Sequence, residues 1–557
     1  MKYLALWIVT TACAVGYAAD PRAKTALPEM PLTVCLSEPE SVTGGDDIAR
    51  LKHLASGVGW EFSPTAATTA GLKRVGIKTI RCINVDLPGH FAKDGHYVIK
   101  EPNYLLANLA TCREIGARPH VVVAAGVPDE LRLAERDLPP GERGLMGSQL
   151  RKAAFGPTDW LRFRNYCKAF FRYVLVTKGF ADAEFEVGNE PDIGGAVVSR
   201  PPKPANGSAA LYRAYFEWYC NVARAAVEFE REHPPQKVRL GGPALAWAFT
   251  FHFGDFNWAS RFLRDCGQQK IKLDFIGVHY YGNISSLDGE YPAIYPSFVG
   301  MLTDTQHARD RYCPGTPICL TEWGPSYQTD NSRTARVNAN HVGAAWSAAF
   351  LNAMLAHGVD SALYLVTTDL AQPDRAGKLQ NVWGWPALFV NHQVFGEGYP
   401  KAMYHLFDMV HQLAGQRVAV KSGRRAVGAI AAADGPHHVL RLLVWNFAAR
   451  LPESRPAEDS STEVPLSIHV AGVPQFFGAT SVAARAWLIG PGAGDAVGAF
   501  DRGQPLTAAN TAVKPIEYLA ATCEPQGLLV RYTLPRSSVC LIQLGQPNDR
   551  HPQPARP

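Results

Sequence analysis

The sequence has little imbalance of charge, few cysteines and none of several common catalytic signatures. Its 557 residues carry 55 Lys and Arg against 50 Asp and Glu, a net charge of +5. With charge so nearly balanced, no nucleic-acid partner is expected. Nowhere does an apolar run reach the ~18 residues that a membrane-spanning helix needs, so no transmembrane segment is expected. There is no HExxH zinc motif, no GxSxG nucleophile elbow and no phosphate-binding P-loop. Eleven cysteines include no CxxC pair, and their density is too low for a disulfide scaffold.

What is present begins with an export pattern. Lys2 precedes the apolar run Leu4 to Val9, and Gly16-Tyr17-Ala18 supplies small residues around a cleavage point. A signal peptide over residues 1–18 and a secreted or periplasmic protein are therefore expected. Cys13 would leave with the signal, and the oxidising destination permits disulfides among the rest. The sequons Asn206-Gly207-Ser208 and Asn283-Ile284-Ser285 suit such a compartment.

From about residue 60 to 410, short β-branched runs alternate with longer amphipathic stretches. The strand candidates are Lys78–Ile83, Arg118–Ala124, Phe185–Gly188, Val238–Gly241, Phe275–Tyr281, Pro317–Thr321 and Ala362–Thr367, with a further one near Gly57–Phe62. Helices are expected over Trp160–Thr177, Leu211–Glu232 and Arg336–His357; His233-Pro234-Pro235 stops the second. Eight βα units favour a (β/α)8 TIM barrel over an open doubly wound sheet. After Gly415 the helical periodicity stops. Short β segments from Val418–Lys421 to Ser538–Leu544, separated by turns such as Asp434-Gly435-Pro436, read as a C-terminal all-β sandwich. The expected domains are a barrel over 19–410 with an N-terminal extension, a β-sandwich over 411–545 and a flexible tail over 546–557. Gly492-Ala493-Gly494 opens no helix after a strand and is read as a turn. His437-His438 follows a hairpin turn and is read as solvated.

Two carboxylates end apolar strands. In Phe185-Glu186-Val187-Gly188-Asn189-Glu190-Pro191-Asp192, Pro191 halts the strand and leaves Asn189 and Glu190 at its carboxyl end. Pro317-Ile318-Cys319-Leu320-Thr321-Glu322-Trp323-Gly324 repeats the arrangement three strands later. Barrel enzymes keep their active sites on this rim, and a carboxylate there is costly to bury unless it is paired or used. On the strand count these are strands four and seven. Facing carboxyls at ~5–5.5 Å suit retaining glycoside hydrolysis, and at ~6.5–9.5 Å inverting hydrolysis. One would stay protonated and the other ionised. Such chemistry needs a carbohydrate substrate but no cofactor or metal.

Asn189-Glu190-Pro191 together with Glu322-Trp323-Gly324 resembles the paired signature of the clan A retaining glycosidases. Within that clan the chain looks most like glycoside hydrolase family 39, the β-xylosidase and α-L-iduronidase family. Gly76-Ile77-Lys78-Thr79-Ile80-Arg81 resembles its second strand. Asp274-Phe275-Ile276-Gly277-Val278-His279-Tyr280-Tyr281 resembles its sixth, and Pro400 to Phe407 its last barrel helix; Val444-Trp445-Asn446-Phe447 fits its accessory β-sandwich. The resemblance implies Glu190 as acid/base, Glu322 as nucleophile and Asn189 as partner of the sugar 2-hydroxyl, with His279 and Tyr281 matching a His-x-Tyr pair in the site. The glucuronidase and heparanase family pairs similar motifs and stays an alternative, as does a catalytically silent carbohydrate-binding barrel.

The residues themselves speak to several of these assignments. His279 and Tyr281 stand two apart, so both point to one side of their strand. Arg81 lies inside an apolar strand, where a buried guanidinium demands a carboxylate. The resemblance offers Glu322; Asp86 or a neighbouring strand could also supply it. Trp323 either stacks on a sugar face or fills the rim. Two departures from the family pattern bear on specificity: Ile83 stands where a sugar-contacting His is usual, and the eighth strand carries no Trp, for which Trp383 or Trp385 could substitute.

Overall fold

The computed structural model describes residues 30–40, 45–60, 64–83, 87–123, 128–131, 157–193, 209–246, 257–282, 298–332, 335–422, 427–447, 463–477, 482–516, 519–524 and 527–545. The export segment, both sequons, Asp86 and the C-terminal tail lie outside these.

Eight parallel strands close into a barrel in chain order: β1 (Gly57–Gly59), β2 (Thr79–Ile83), β3 (Arg118–Val123), β4 (Glu184–Val187), β5 (Arg239–Leu245), β6 (Phe275–Tyr281), β7 (Ile318–Gly324) and β8 (Ser361–Tyr364). Their near-continuous apolar runs suit strands covered on both faces. Closure is completed where Tyr364 of β8 pairs with Val58 of β1. The first strand is short and rich in glycine because space is lacking there. A Cβ on Gly59 would collide with the carbonyl oxygen of Leu365.

A helix follows each strand: α1 (Ala66–Arg74), α2 (Leu105–Ile115), α3 (Pro157–Arg172), α4 (Ala209–Glu232), α5 (Trp258–Gln269), α6 (Gly300–Tyr312), α7 (His341–Ala356) and α8 (Ala402–Gln412). Their ends obey local chemistry. Thr65 and Thr68 form a capping box at α1, and Asn257 and Asn340 cap α5 and α7 by accepting backbone N–H groups. The helix expected over Trp160–Thr177 changes to a π turn at Tyr173–Thr177, where Val174, Val176 and Thr177 crowd the preceding turn. The one expected over Arg336–His357 is split, because the Asn340 cap separates a 3-10 turn, Ala335–Asn338, from α7.

The β domain is one ten-stranded sheet. Its order is Lys514–Ile516, Ala483–Ile489, Ser538–Gly545, Val439–Asn446, Val427–Asp434, Gln416–Ser422, Met30–Pro39, Val464–Ala471, Gly527–Leu534 and Ala520–Glu524. Ala486 and Val530, near opposite ends of that order, share one apolar core with Leu466, Val444 and Ile542, so the sheet folds over on itself as a sandwich. Three short helices, Val473–Phe477, Ala496–Asp501 and Ala508–Thr511, interrupt a region read from sequence as purely β.

The N-terminal extension does not belong to the barrel. Met30–Pro39 lies between Gln416–Ser422, antiparallel, and Val464–Ala471, parallel, in the middle of the sandwich sheet. Leu32 and Val34 are fully buried in its core. A strand that pairs with partners some 400 residues away leaves no local signal. The two domains also share a core. Helix α7 is buried almost all round, and Trp346 and Phe350 on it join one cluster with Trp445, Val539 and Leu541 of the sheet. Arg417 ties Gln416–Ser422 to Asp47 at 3.4 Å and to Glu40 at 3.3 Å. The nine described cysteines with placed side chains, Cys35 to Cys540, form no disulfide among themselves.

Because Leu32 fills the sandwich core, Leu32→Ala is expected to cost about 2–5 kcal/mol and to lower the melting temperature of the whole chain in one transition. Thermal unfolding followed by circular dichroism checks this; a separate early transition of the sandwich alone would contradict the shared core.

Candidate active site

Strand β4 leaves the barrel through a turn that aims its last side chains inward. Gly188 has φ 76° and Glu190 φ 49°. The left-handed region costs a non-glycine residue of order 1–3 kcal/mol and persists where surroundings enforce it. Here the Glu190 N–H donates to Ala244 O at 2.9 Å, and Asp192 accepts from the Ala246 N–H at 3.0 Å. Strand β7 uses another device. Its pairing with β6 runs Leu320 with Val278 and then Glu322 with His279, so Thr321 is an extra residue. Such a bulge re-aims the side chains that follow it.

These two strand ends meet around Arg81, which is fully buried. Its Nη1 donates to Glu322 Oε1 at 2.5 Å, its Nη2 to Asn189 Oδ1 at 2.8 Å, and its Nε to Glu186 Oε2 at 2.7 Å. The Tyr281 hydroxyl donates to Glu322 Oε2 at 2.8 Å. His279 Nδ1 stands 3.2 Å from Glu190 Oε1 and 3.4 Å from Glu322 Oε2. One carboxylate oxygen from each glutamate and a His279 ring nitrogen all lie within 4.8 Å of one another.

The electrostatics follow from this crowding. Burial pushes the Glu190 carboxyl up, but the hydrogen bond and charge of His279 outweigh it and hold the group below its ordinary value. His279 is fully buried, which lowers its pKa; the Glu322 charge and the bond to Glu190 more than compensate, and the imidazole is raised. Burial and then Glu322 push the Tyr281 phenol well up, keeping it a donor. Glu190, His279 and Glu322 have the spacing of metal ligands, yet Arg81 and Tyr281 already take both Glu322 oxygens. A divalent ion at Oε2 would have to displace the Tyr281 hydroxyl and sit beside the Arg81 cation, so the trio is not assigned as a metal site.

Six of the seven residues named from sequence therefore come together: Glu190, Glu322, Asn189, His279, Tyr281 and Arg81, with Glu322 as the partner of Arg81. Trp323 does not join them. It is fully buried and packs on Tyr364 (centroids 5.0 Å), Phe350 (5.6 Å), Phe407 (6.4 Å) and Trp346 (6.5 Å). With Glu322 facing the mouth, its neighbour on the strand faces the helix layer, so Trp323 is core. Trp383 is likewise buried against Phe395 and Phe500. Trp385 is half-buried, joins Tyr281 beside one apolar cluster, and meets Trp60 edge-on at 6.2 Å and 82°. Lys401 holds that loop: fully buried, it donates to Trp385 O at 2.9 Å and to Asp369 at 2.7 Å.

Sequence reasoning missed Trp60, Lys401, Asp369, Glu186 and His120. Glu186 carries the same signal as Arg81, a charge inside an apolar strand. Trp60 and Lys401 carry no local signal; only the loop after β8 gives them meaning. Since Trp323 is core, Trp323→Ala is expected to destabilise the fold by about 3–5 kcal/mol, as read by chemical denaturation. A stable variant with only weakened sugar binding would restore the stacking reading.

No family model matches the chain. A curated protein named β-xylosidase, from Geobacillus stearothermophilus, is 25% identical over 300 residues, which cover 50% of this chain and 52% of that protein. The match thus spans about half the length of that relative. A solved GH39 enzyme from Xanthomonas axonopodis pv. citri superposes with TM-score 0.66 at 19% identity, covering 94% of this chain and 99% of its own. A GH39 β-xylosidase from Caulobacter crescentus gives 0.61 at 20%, covering 93% and 100%. A bacterial orthologue of human α-L-iduronidase gives 0.60 at 12%, covering 93% and 84%. Barrel, accessory sandwich and partial sequence match together make this chain similar to glycoside hydrolase family 39, in the clan A architecture.

Proposed function

We propose that the protein is an exported glycosidase that cleaves O-glycosidic bonds by retention, through a covalent glycosyl-enzyme intermediate. The observation that carries this reading is the approach of Glu190 and Glu322, with oxygens within 4.8 Å. An approach that close favours the ~5–5.5 Å spacing of retaining enzymes over the ~6.5–9.5 Å of inverting ones. The export pattern around Lys2 and Leu4 to Val9 supports secretion. The likeness to proteins named β-xylosidase supports a glycoside substrate.

In this reading Glu322, oriented by Arg81 and Tyr281, attacks the anomeric carbon as Glu190 protonates the departing oxygen. Glu190 then takes a proton from water, which releases the sugar from Glu322. In the free site Glu190 Oε1 and His279 Nδ1 share a hydrogen bond, with the carboxyl held low and the imidazole raised. When a glycosidic oxygen takes the place of His279 beside Glu190, burial and the Glu322 charge drive a proton onto the carboxyl, where it is needed. Trp60 and Trp385 form an apolar corner beside Tyr281, suited to the face of a sugar ring.

The decisive experiment is a panel of aryl xyloside, glucoside, galactoside, arabinoside, glucuronide and iduronide, with the anomer of the first product read by NMR. Retention is expected; inversion would remove the mechanism, and binding without any turnover would favour a silent carbohydrate-binding barrel. Glu322→Ala and Glu190→Ala should each lower turnover by about 10²–10⁴ or more while keeping the fold. Azide should rescue Glu322→Ala to a glycosyl azide of inverted configuration. The pH profile gives a second check. The imidazole proton is lost as pH rises through the raised His279 pKa, so kcat/KM should fall on that side. In His279→Asn the proton can sit only on Glu190, and the fall should move to lower pH.

A further inference from the structure

A column of alternating charge runs from the catalytic mouth down through the barrel. Glu322 meets Arg81, and Arg81 meets Glu186. His120 follows, its Nε2 3.5 Å from Glu186 Oε2 and its Nδ1 3.1 Å from Glu184 Oε2. Glu184 closes the column on Arg118 at 3.2 Å and Arg239 at 3.0 Å, at the opposite rim. Glu184 and Glu186 stand two apart on β4 and so share the inward face. Glu186 is fully buried, and its Oε1 has no hydrogen-bond partner among the described residues. Room for it exists because residue 277 is glycine: a Cβ there would strike Glu186 Oε1.

We infer that Glu186 is a positioning residue that sets the reactivity of Glu322 through Arg81. This rests on the assignment of Glu322 as nucleophile. All three guanidinium nitrogens are engaged, Nη1 by Glu322, Nη2 by Asn189 and by Glu186 Oε2 at 2.7 Å, and Nε by Glu186, so the plane of Arg81 is fixed. The charge argument is separate. An arginine facing Glu322 alone would hold that carboxylate as a tight ion pair, a poor nucleophile and a good leaving group. Glu186 shares the cation, so Arg81 binds Glu322 less tightly and leaves its oxygen freer to attack. The other groups facing Glu322 are Glu190 from the end of β4, and His279 and Tyr281 from β6. Those facing Glu186, besides Arg81, are His120 from β3, His279 from β6, Cys319 from β7 and Tyr215 from α4.

The test is Glu186→Gln, which keeps an acceptor for Nε and removes the charge. With one negative charge fewer, the Arg81 cation acts on Glu322 alone. The acid limb of kcat/KM is expected to move down by about one pH unit, with slower formation and faster breakdown of the glycosyl-enzyme in pre-steady-state measurements. Glu186→Asp should restore the limb in part. His120→Gln, which removes the cation behind Glu186, should move the limb the other way and serves as the probe if Glu186→Gln does not fold. Unshifted limbs in folded Glu186→Gln or His120→Gln would overturn the inference. Whether Glu322 is the nucleophile is read separately from azide rescue of Glu322→Ala, so either assignment can fail while the other stands.

Discussion

A guanidinium fully enclosed by a barrel must be met by negative charge within hydrogen-bond reach, because the cost of stripping its water is several kcal/mol unless every donor finds an acceptor. Arg81 imposes that demand on this protein. Glu322, Asn189 and Glu186 answer it from two strands and one strand end, and in doing so are held within a few ångströms of one another. The geometry that makes the mouth reactive is the same geometry that makes Arg81 tolerable. Removing either carboxylate leaves a buried charge unbalanced, and removing Asn189 leaves a buried donor without its acceptor, which is why the site and the barrel interior form one electrostatic unit.

Around that unit the backbone departs from regularity only where direction matters. The left-handed Glu190 and the bulge at Thr321 sit at the two strand ends that supply carboxylates. A regular strand would send alternate residues to opposite faces, and both devices turn a side chain toward the opening. His279, between the two glutamates, gives them unequal surroundings, which two carboxylates need if they are to play different parts. The sandwich contributes from behind. It meets α7 over a shared apolar core, and α7 in turn packs Trp323, the residue next to Glu322. The accessory domain thus braces the strand that carries one carboxylate.

In the proposed function, the walls of the sugar site come from elements with little regular structure. The loop after β8 brings Trp385 against Trp60 and Tyr281, and the buried Lys401–Asp369 pair pins it. A barrel of this kind keeps its carboxylates fixed and varies the walls through its loops. Trp385, supplied by a loop instead of a strand, belongs to such a wall.

Much was legible before any coordinates. Apolar runs of four to seven residues, spaced by amphipathic stretches, specify parallel strands and their covering helices, because burial on two faces and on one leaves different periodicities. A charge inside such a run, as at Arg81, or at its end, as at Glu190 and Glu322, announces a site, because burying it without purpose is costly. What periodicity cannot carry is pairing across hundreds of residues and the direction of a side chain after an irregular turn. Insertion of Met30–Pro39 into the sandwich depended on the first. The burial of Trp323 beside an open Glu322, and the meeting of Trp60 with Trp385, depended on the second. Local sequence fixes what each segment prefers to be, whereas the closing of the barrel decides which of those segments touch.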